Sequence, residues 1–226
     1  MLIESVSKTL GQLFSPPFRS VLWKSIGLTV ALLIGLWFVL ETVISTFLLP
    51  VLGPWPWLAT ALGWLFGAGL VVAMGFLIAP VTSIFAGVFL DDVAAEVERI
   101  HYPDDPPGNP LALSTSVGIA ARFFGLVLLG NLLALALMLF LGLGIIIFFL
   151  VNGYLLGREY FQFAALRRMT CEQAEEVRRQ NGPAIFMGGL VISGILAIPL
   201  VNLLTPLFAA TLMTHIHKWI ARKDAV

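Results

Sequence analysis

The chain has 226 residues, a mean hydropathy of +0.97 and only 12% charged residues, against about 25% in an ordinary soluble domain. That excludes a soluble globular protein and predicts an all-α integral membrane protein, a single membrane domain over 1–226. Its 13 basic and 13 acidic residues cancel, so overall charge gives no reason to expect nucleic-acid binding, and one cysteine, Cys171, excludes an intrachain disulfide or a cysteine-rich metal site.

Residues 1–25 lack the apolar core and small-residue cleavage site of a secretory signal. Leu10, Leu13, Phe14 and Phe18 predict an interfacial amphipathic helix instead. Ser15-Pro16-Pro17 breaks the chain, and prolines suit the first positions of a helix, where an N–H is not needed. Arg19 and Ser20 then fall in a helix's first turn, beside free backbone donors that favour an anion. On spacing alone the plainer reading is preferred: Arg19 and Lys24 are cytoplasmic charges flanking the first span.

Residues 26–78 predict a spanning hairpin. Its first half carries Glu41, the one acidic residue inside an apolar segment. An intramembrane carboxylate is costly and suggests an ion pathway, but Glu41 lies roughly 22 Å along the helix from Ile26. A snorkelling position near the far interface is the preferred reading. Pro50-Val51-Leu52-Gly53-Pro54-Trp55-Pro56-Trp57 is a turn of breakers and interfacial aromatics, and Gly63-x-x-x-Gly67 after it is a small-residue packing pattern.

Ala79-Pro80 predicts an interruption, after which 79–122 holds an emerging acidic helix and the loop Pro103-Asp104-Asp105-Pro106-Pro107-Gly108-Asn109-Pro110. The charge-free run 123–157 would be roughly 52 Å long as one helix, against a hydrocarbon core of about 30 Å. Gly142 and Gly144 near its centre predict a bend, making it a short, partly penetrating helical hairpin. Residues 158–182 alternate in charge and predict an exposed helix supported by pairs such as Glu175 with Arg179. The run 183–214 carries Pro199 and Asn202 midway, so it too predicts a hairpin, with Asn202 capping backbone groups freed at the bend. In the tail 215–226, His215 and His217 at i, i+2 point to different helix faces and cannot share one metal, so they are read as interfacial. No metal or cofactor is expected.

If 123–157 and 183–214 are both hairpins, all 13 basic residues fall on one side of the membrane. The positive-inside rule then predicts cytoplasmic termini.

Three elements together carry a family resemblance: Ile78-Ala79-Pro80 followed by acidic residues through Glu96 and Glu98; Ala197-Ile198-Pro199-Leu200-Val201-Asn202-Leu203 with Pro206 and Ala209-Ala210-Thr211; and Ser15-Pro16-Pro17-Phe18-Arg19-Ser20. The chain resembles the CysZ sulfate permease family, within the etoposide-induced-protein superfamily, over nearly its full length. The resemblance implies a bacterial inner-membrane protein taking up sulfate for cysteine synthesis. It also implies two long spanning helices, partly penetrating hairpins and homo-oligomers assembled from dimers. Its N-terminal Gly-x-Arg-Arg turn binds the oxyanion, which assigns that role to Arg19 with Ser20, Phe18 and Lys24 around it. Ser20 stands where a second arginine is expected, and Phe18 replaces a clear glycine.

Three functions compete. An oxyanion channel or permease is preferred, and the absence of a Gly-x4-Gly-Lys-Ser/Thr motif argues against nucleotide hydrolysis in this chain. The alternative is a membrane scaffold or quality-control protein docking through 158–179. A membrane enzyme ranks third, because no intramembrane nucleophile lies beside a base.

Overall fold

The computed structural model describes residues 2–13, 15–48, 50–52, 54–112, 118, 125, 144–198 and 201–224. Among the described residues the regular structure is helical, as an all-α membrane protein requires: α1 (Leu2–Leu13), α2 (Pro16–Val43), α3 (Pro56–Val88), α4 (Leu90–His101), α5 (Gly144–Leu166), α6 (Cys171–Gln180), α7 (Gly182–Leu196) and α8 (Thr205–Asp224). The stretch 16–47 and α5 are each long and apolar enough to cross a bilayer, while Pro56–Val72 and α7 are shorter apolar segments. The chain divides into two units, Met1–Leu22 with Ala86–Val226, and Trp23–Phe85.

Trp23–Phe85 is the two-helix unit. Its buried contact is a hydroxyl pair: Thr82 Oγ1 donates to Thr29 Oγ1 at 3.0 Å, and Thr29 in turn donates to the Ser25 carbonyl at 2.8 Å. In an apolar setting each hydroxyl needs such a partner, because leaving it unpaired costs a few kcal/mol. Most large apolar side chains here face outward, among them Phe38, Trp64 and Val71, as expected of a lipid-facing surface. The predicted interruption at Pro80 is absent, since α3 continues through it to Val88. A proline removes one backbone hydrogen bond, which an apolar helix tolerates where neighbouring groups re-satisfy the freed carbonyl. The Gly63 and Gly67 face is open, with no atom within 4 Å of where a Cβ would stand on either residue.

In the other unit, glycines let α5 and α7 touch backbone to backbone. A Cβ built on Gly189 would stand 1.9 Å from the Gly153 carbonyl oxygen, and one on Gly157 would stand 2.7 Å from the Ile185 carbonyl. Small residues permit such approach, and membrane helices associate through it. Gly188 presses on Met213 and Ile216 of α8. α7 ends at Leu196 and α8 starts at Thr205 and runs to Asp224, through the residues expected as a tail, and the two helices pack on each other. At the bend Asn202 donates its backbone N–H to the Ile198 carbonyl at 3.0 Å, inside a short 3-10 turn, Val201–Leu204. Pro199 and Gly142 lie outside the described residues, and Gly144 is the first residue of α5.

Three expectations need correction in this unit. Residues 158–182 do not form one exposed polar helix: α5 carries Arg158 within it as far as Leu166, and a new helix starts at Cys171. The restart is a capping box, with Thr170 Oγ1 accepting from the Gln173 N–H and Gln173 Oε1 accepting from the Thr170 N–H. As a result α5 is a full-length apolar helix of 23 residues, not a short arm. The second correction concerns α1, which buries Ser5, Thr9, Gln12 and Leu13 and leaves Ile3 and Leu10 exposed. It packs on α8 through a small polar stripe, so Leu13 and Phe18 are core residues, not interfacial ones. Third, His215 and His217 are buried inside the protein.

Candidate functional site

The first turn of α2 carries the residues singled out by sequence. Arg19 and Ser20 are exposed there, Lys24 is exposed further along, and Phe18 is 1% exposed with its ring in the hydrophobic core. Phe18 therefore anchors the turn and contributes no side-chain contact to a ligand. Ser15 caps the helix through its carbonyl, which accepts the Arg19 N–H at 3.0 Å. Pro16 and Pro17 carry no N–H, so two of the donors that a helix start ordinarily offers are missing here. The side chains that the turn exposes are the Arg19 guanidinium and the Ser20 hydroxyl.

Glu41 lies on the exposed surface near the end of α2 and accepts a hydrogen bond from Trp37 Nε1 at 3.2 Å. The indole is one helical turn away, so the contact is local. It suits a carboxylate beside an interfacial tryptophan.

A polar centre that sequence reading missed lies among α4, α5, α8 and the loop after α4. Arg167, 2% exposed, pairs with Asp91 and with Glu98 at 3.2 Å. Glu98 also pairs with Arg168 at 3.4 Å and accepts the Gly108 N–H at 2.9 Å. The Arg167 carbonyl accepts the Asn109 N–H at 2.8 Å, the Leu111 N–H donates to Asp91 at 3.2 Å, and Arg168 donates to the Pro106 carbonyl. The charges of 158–179 were expected on a solvated face; Arg167 is instead a buried clasp holding the Pro-rich loop to α4. Burial pushes the Glu98 carboxyl up, but the Gly108 amide and the two arginines outweigh it, leaving it below the ordinary range. The exposed pairing predicted on α6 is present, with Arg179 donating to Glu175 at 3.3 Å.

Farther along α8, Lys218 pairs with Asp105 at 2.8 Å, and the Tyr102 hydroxyl is hydrogen-bonded to His215 Nδ1 at 2.8 Å. His101 meets His215 edge-on with ring centroids 5.0 Å apart. Burial lowers His215 to about 3 and His217 to about 4, and neighbouring cations add to the effect. Both rings are neutral at pH 7. No group of His, Cys, Asp and Glu among the described residues fits a metal ion.

A family model described as sulfate transporter CysZ/etoposide-induced protein 2.4 matches residues 5–206. The chain belongs to this family. The match takes in the α2 turn, the acidic helix, the clasp and the bend at Asn202, and it stops before His215 and Lys218. With the apolar helices, it makes this a membrane protein of a transporter family and not of an enzyme class. No curated protein matched the chain.

Proposed function

We propose that the protein is an inner-membrane permease or channel for sulfate or a closely related oxyanion, supplying it for cysteine biosynthesis. The observation that carries the reading is the conjunction of the family match with an exposed Arg19 and Ser20 at the start of the helix that enters the membrane. Arg19 supplies the charge that a divalent anion needs when it sheds water, and the Ser20 hydroxyl supplies an oriented donor. Lys24 raises the local anion concentration. With one arginine where the family motif has two, affinity is lower and selection against phosphate weaker.

Glu41 is read as an interfacial group of the spanning pair, not part of the ion path. The break near Asn202 lets the last helices fold back; with 123–157 read as a second hairpin, every basic residue and both termini lie on the cytoplasmic side. Assembly is read as homo-oligomers built from dimers in the lipid bilayer. The scaffold alternative is weakened because Arg167, central to the supposed docking face, is buried in an internal clasp.

The test is direct binding of sulfate, phosphate, chloride and molybdate to the purified protein by calorimetry, for the natural chain and Arg19→Ala. Sulfate binding that falls about tenfold in Arg19→Ala supports the site, since one charge-assisted contact is worth about 1.4 kcal/mol or more. Unchanged sulfate binding in Arg19→Ala removes Arg19 from it.

A further inference from the structure

His215 faces α1 across a cavity of about 90 Å3, lined by Glu4, Ser5 and Lys8 of α1 and by Tyr102 and Arg222. The ring is 1% exposed, its Nδ1 is hydrogen-bonded to the Tyr102 hydroxyl at 2.8 Å, and its Nε2 has no partner. A neutral imidazole tolerates this setting; an imidazolium does not. The charged and titratable groups around it are Glu4 and Lys8 from α1, His101 from α4, Tyr102 and Asp105 from the loop, and Lys218 and Arg222 from α8 itself. Both carboxylates of this set are engaged, Glu4 by Lys8 at 2.6 Å and Asp105 by Lys218 at 2.8 Å. α7 carries no titratable residue, and α5 meets α8 at His217, where the Phe161 ring lies 5.8 Å from that imidazole. Burial, with His101 and Lys8 adding to it, holds the His215 pKa at about 3.

α1 is held to α8 by few interactions. Its polar side chains bond within the helix, Lys8 to Glu4 and Thr9 Oγ1 to the Ser5 carbonyl at 2.7 Å. Among the described residues no hydrogen bond crosses from α1 to α8. The Gln12 amide is buried with neither its oxygen nor its nitrogen partnered, which opposes docking. Docking rests on apolar contact by Leu13, with Leu2 and Val6 partly buried. At the junction the Ser15 N–H bonds the Gln12 carbonyl at 2.9 Å, but Pro16 and Pro17 have no N–H to carry the helical ladder on into α2. α1 can therefore move as a unit without breaking α2.

We propose that α1 is a latch released by protons, docked against α8 while His215 is neutral and lifted from it when that histidine is protonated. Lifting α1 removes the cavity wall formed by Glu4, Ser5 and Lys8 and gives the ring to water, where it titrates as an ordinary histidine. The lifted state binds a proton that the docked state refuses, so docking is at full strength above about pH 6.5 and weakens below it. At pH 5 the docking constant is about thirtyfold lower. His101, lowered by burial and by Lys8, acts in the same direction. The latch does not rest on the transport reading.

The experiment is hydrogen exchange of the full chain in phosphatidylcholine nanodiscs at pH 7.5, 6.0 and 5.0, read by mass spectrometry and corrected for the pH dependence of intrinsic exchange. Protection of the α1 amides is expected to fall about thirtyfold from pH 7.5 to 5.0 while α8 stays protected, with His215→Gln removing most of the fall. Loss of protection by α1 and α8 together marks a general loss of stability and overturns the proposal. So does α1 protection that is the same at all three pH values, or a fall of full size in His215→Gln. If His215→Gln fails to fold, the natural chain decides by its slope: about eightfold for α1 between pH 6.0 and 5.0 supports the latch, and a flat profile overturns it.

Discussion

Replacing Gly189 by alanine tests whether the fold depends on direct backbone contact between α5 and α7. The added Cβ stands 1.9 Å from the Gly153 carbonyl oxygen and 2.8 Å from the Gly157 nitrogen. Both obstacles are backbone, so no side-chain rotation relieves them. Restoring an ordinary contact requires the helices to separate by about 1.5 Å, which opens the interface along its length and forfeits much of its dispersion energy. Overpacking costs about 1–3 kcal/mol where side chains yield; here about 3 kcal/mol is expected. For a chain of this size that lowers Tm by about 6–12 °C. The assay is thermal unfolding in detergent, beside Gly194→Ala on the same helix, where a Cβ meets nothing within 4 Å. Gly194→Ala leaves Tm nearly unchanged or raises it slightly through helix propensity. Equal melting of the two variants refutes the account of the interface.

Three further outcomes follow from the polar centre and the helix pair. Arg167→Ala leaves Asp91 and Glu98 without their buried cation and destabilises by about 3–5 kcal/mol, read by thermal unfolding, with the loop 103–111 becoming protease-sensitive. Stability falls as pH drops from about 6.5, because unfolded histidines take up protons that folded His215 and His217, lowered to about 3 and about 4, refuse. At pH 5 that amounts to about 2 kcal/mol per ring; His215→Gln with His217→Gln flattens the pH dependence of Tm between 6.5 and 5. Thr82→Val removes the hydroxyl donor to Thr29 and costs about 1 kcal/mol, read the same way.

The membrane character, the helix break after Leu196 and the helix start at Pro16 were legible in the sequence, because composition, breakers and proline placement act locally. The polar centre was not. Arg167 and Glu98 are 69 residues apart, and an alternating charge pattern looks the same on a solvated face as in a buried clasp. The extent of α5 was misjudged for a related reason: a charge at Arg158 ends an apolar run without ending a helix, which continues to Leu166 before the capping box at Thr170 starts the next one. Pro80 shows the converse, a breaker inside an intact helix. The proline pair at Pro16-Pro17 was read as a helix start, correctly, but it also strips that start of two of its donors, which lowers the weight of the amide cradle and raises that of Arg19.

The most direct test of the central claim is uptake of labelled sulfate into proteoliposomes. The account predicts flux above that of empty liposomes, reduced in Arg19→Ala and unaffected by Arg179→Ala on the exposed α6. Uptake by the natural chain equal to that of empty liposomes contradicts it.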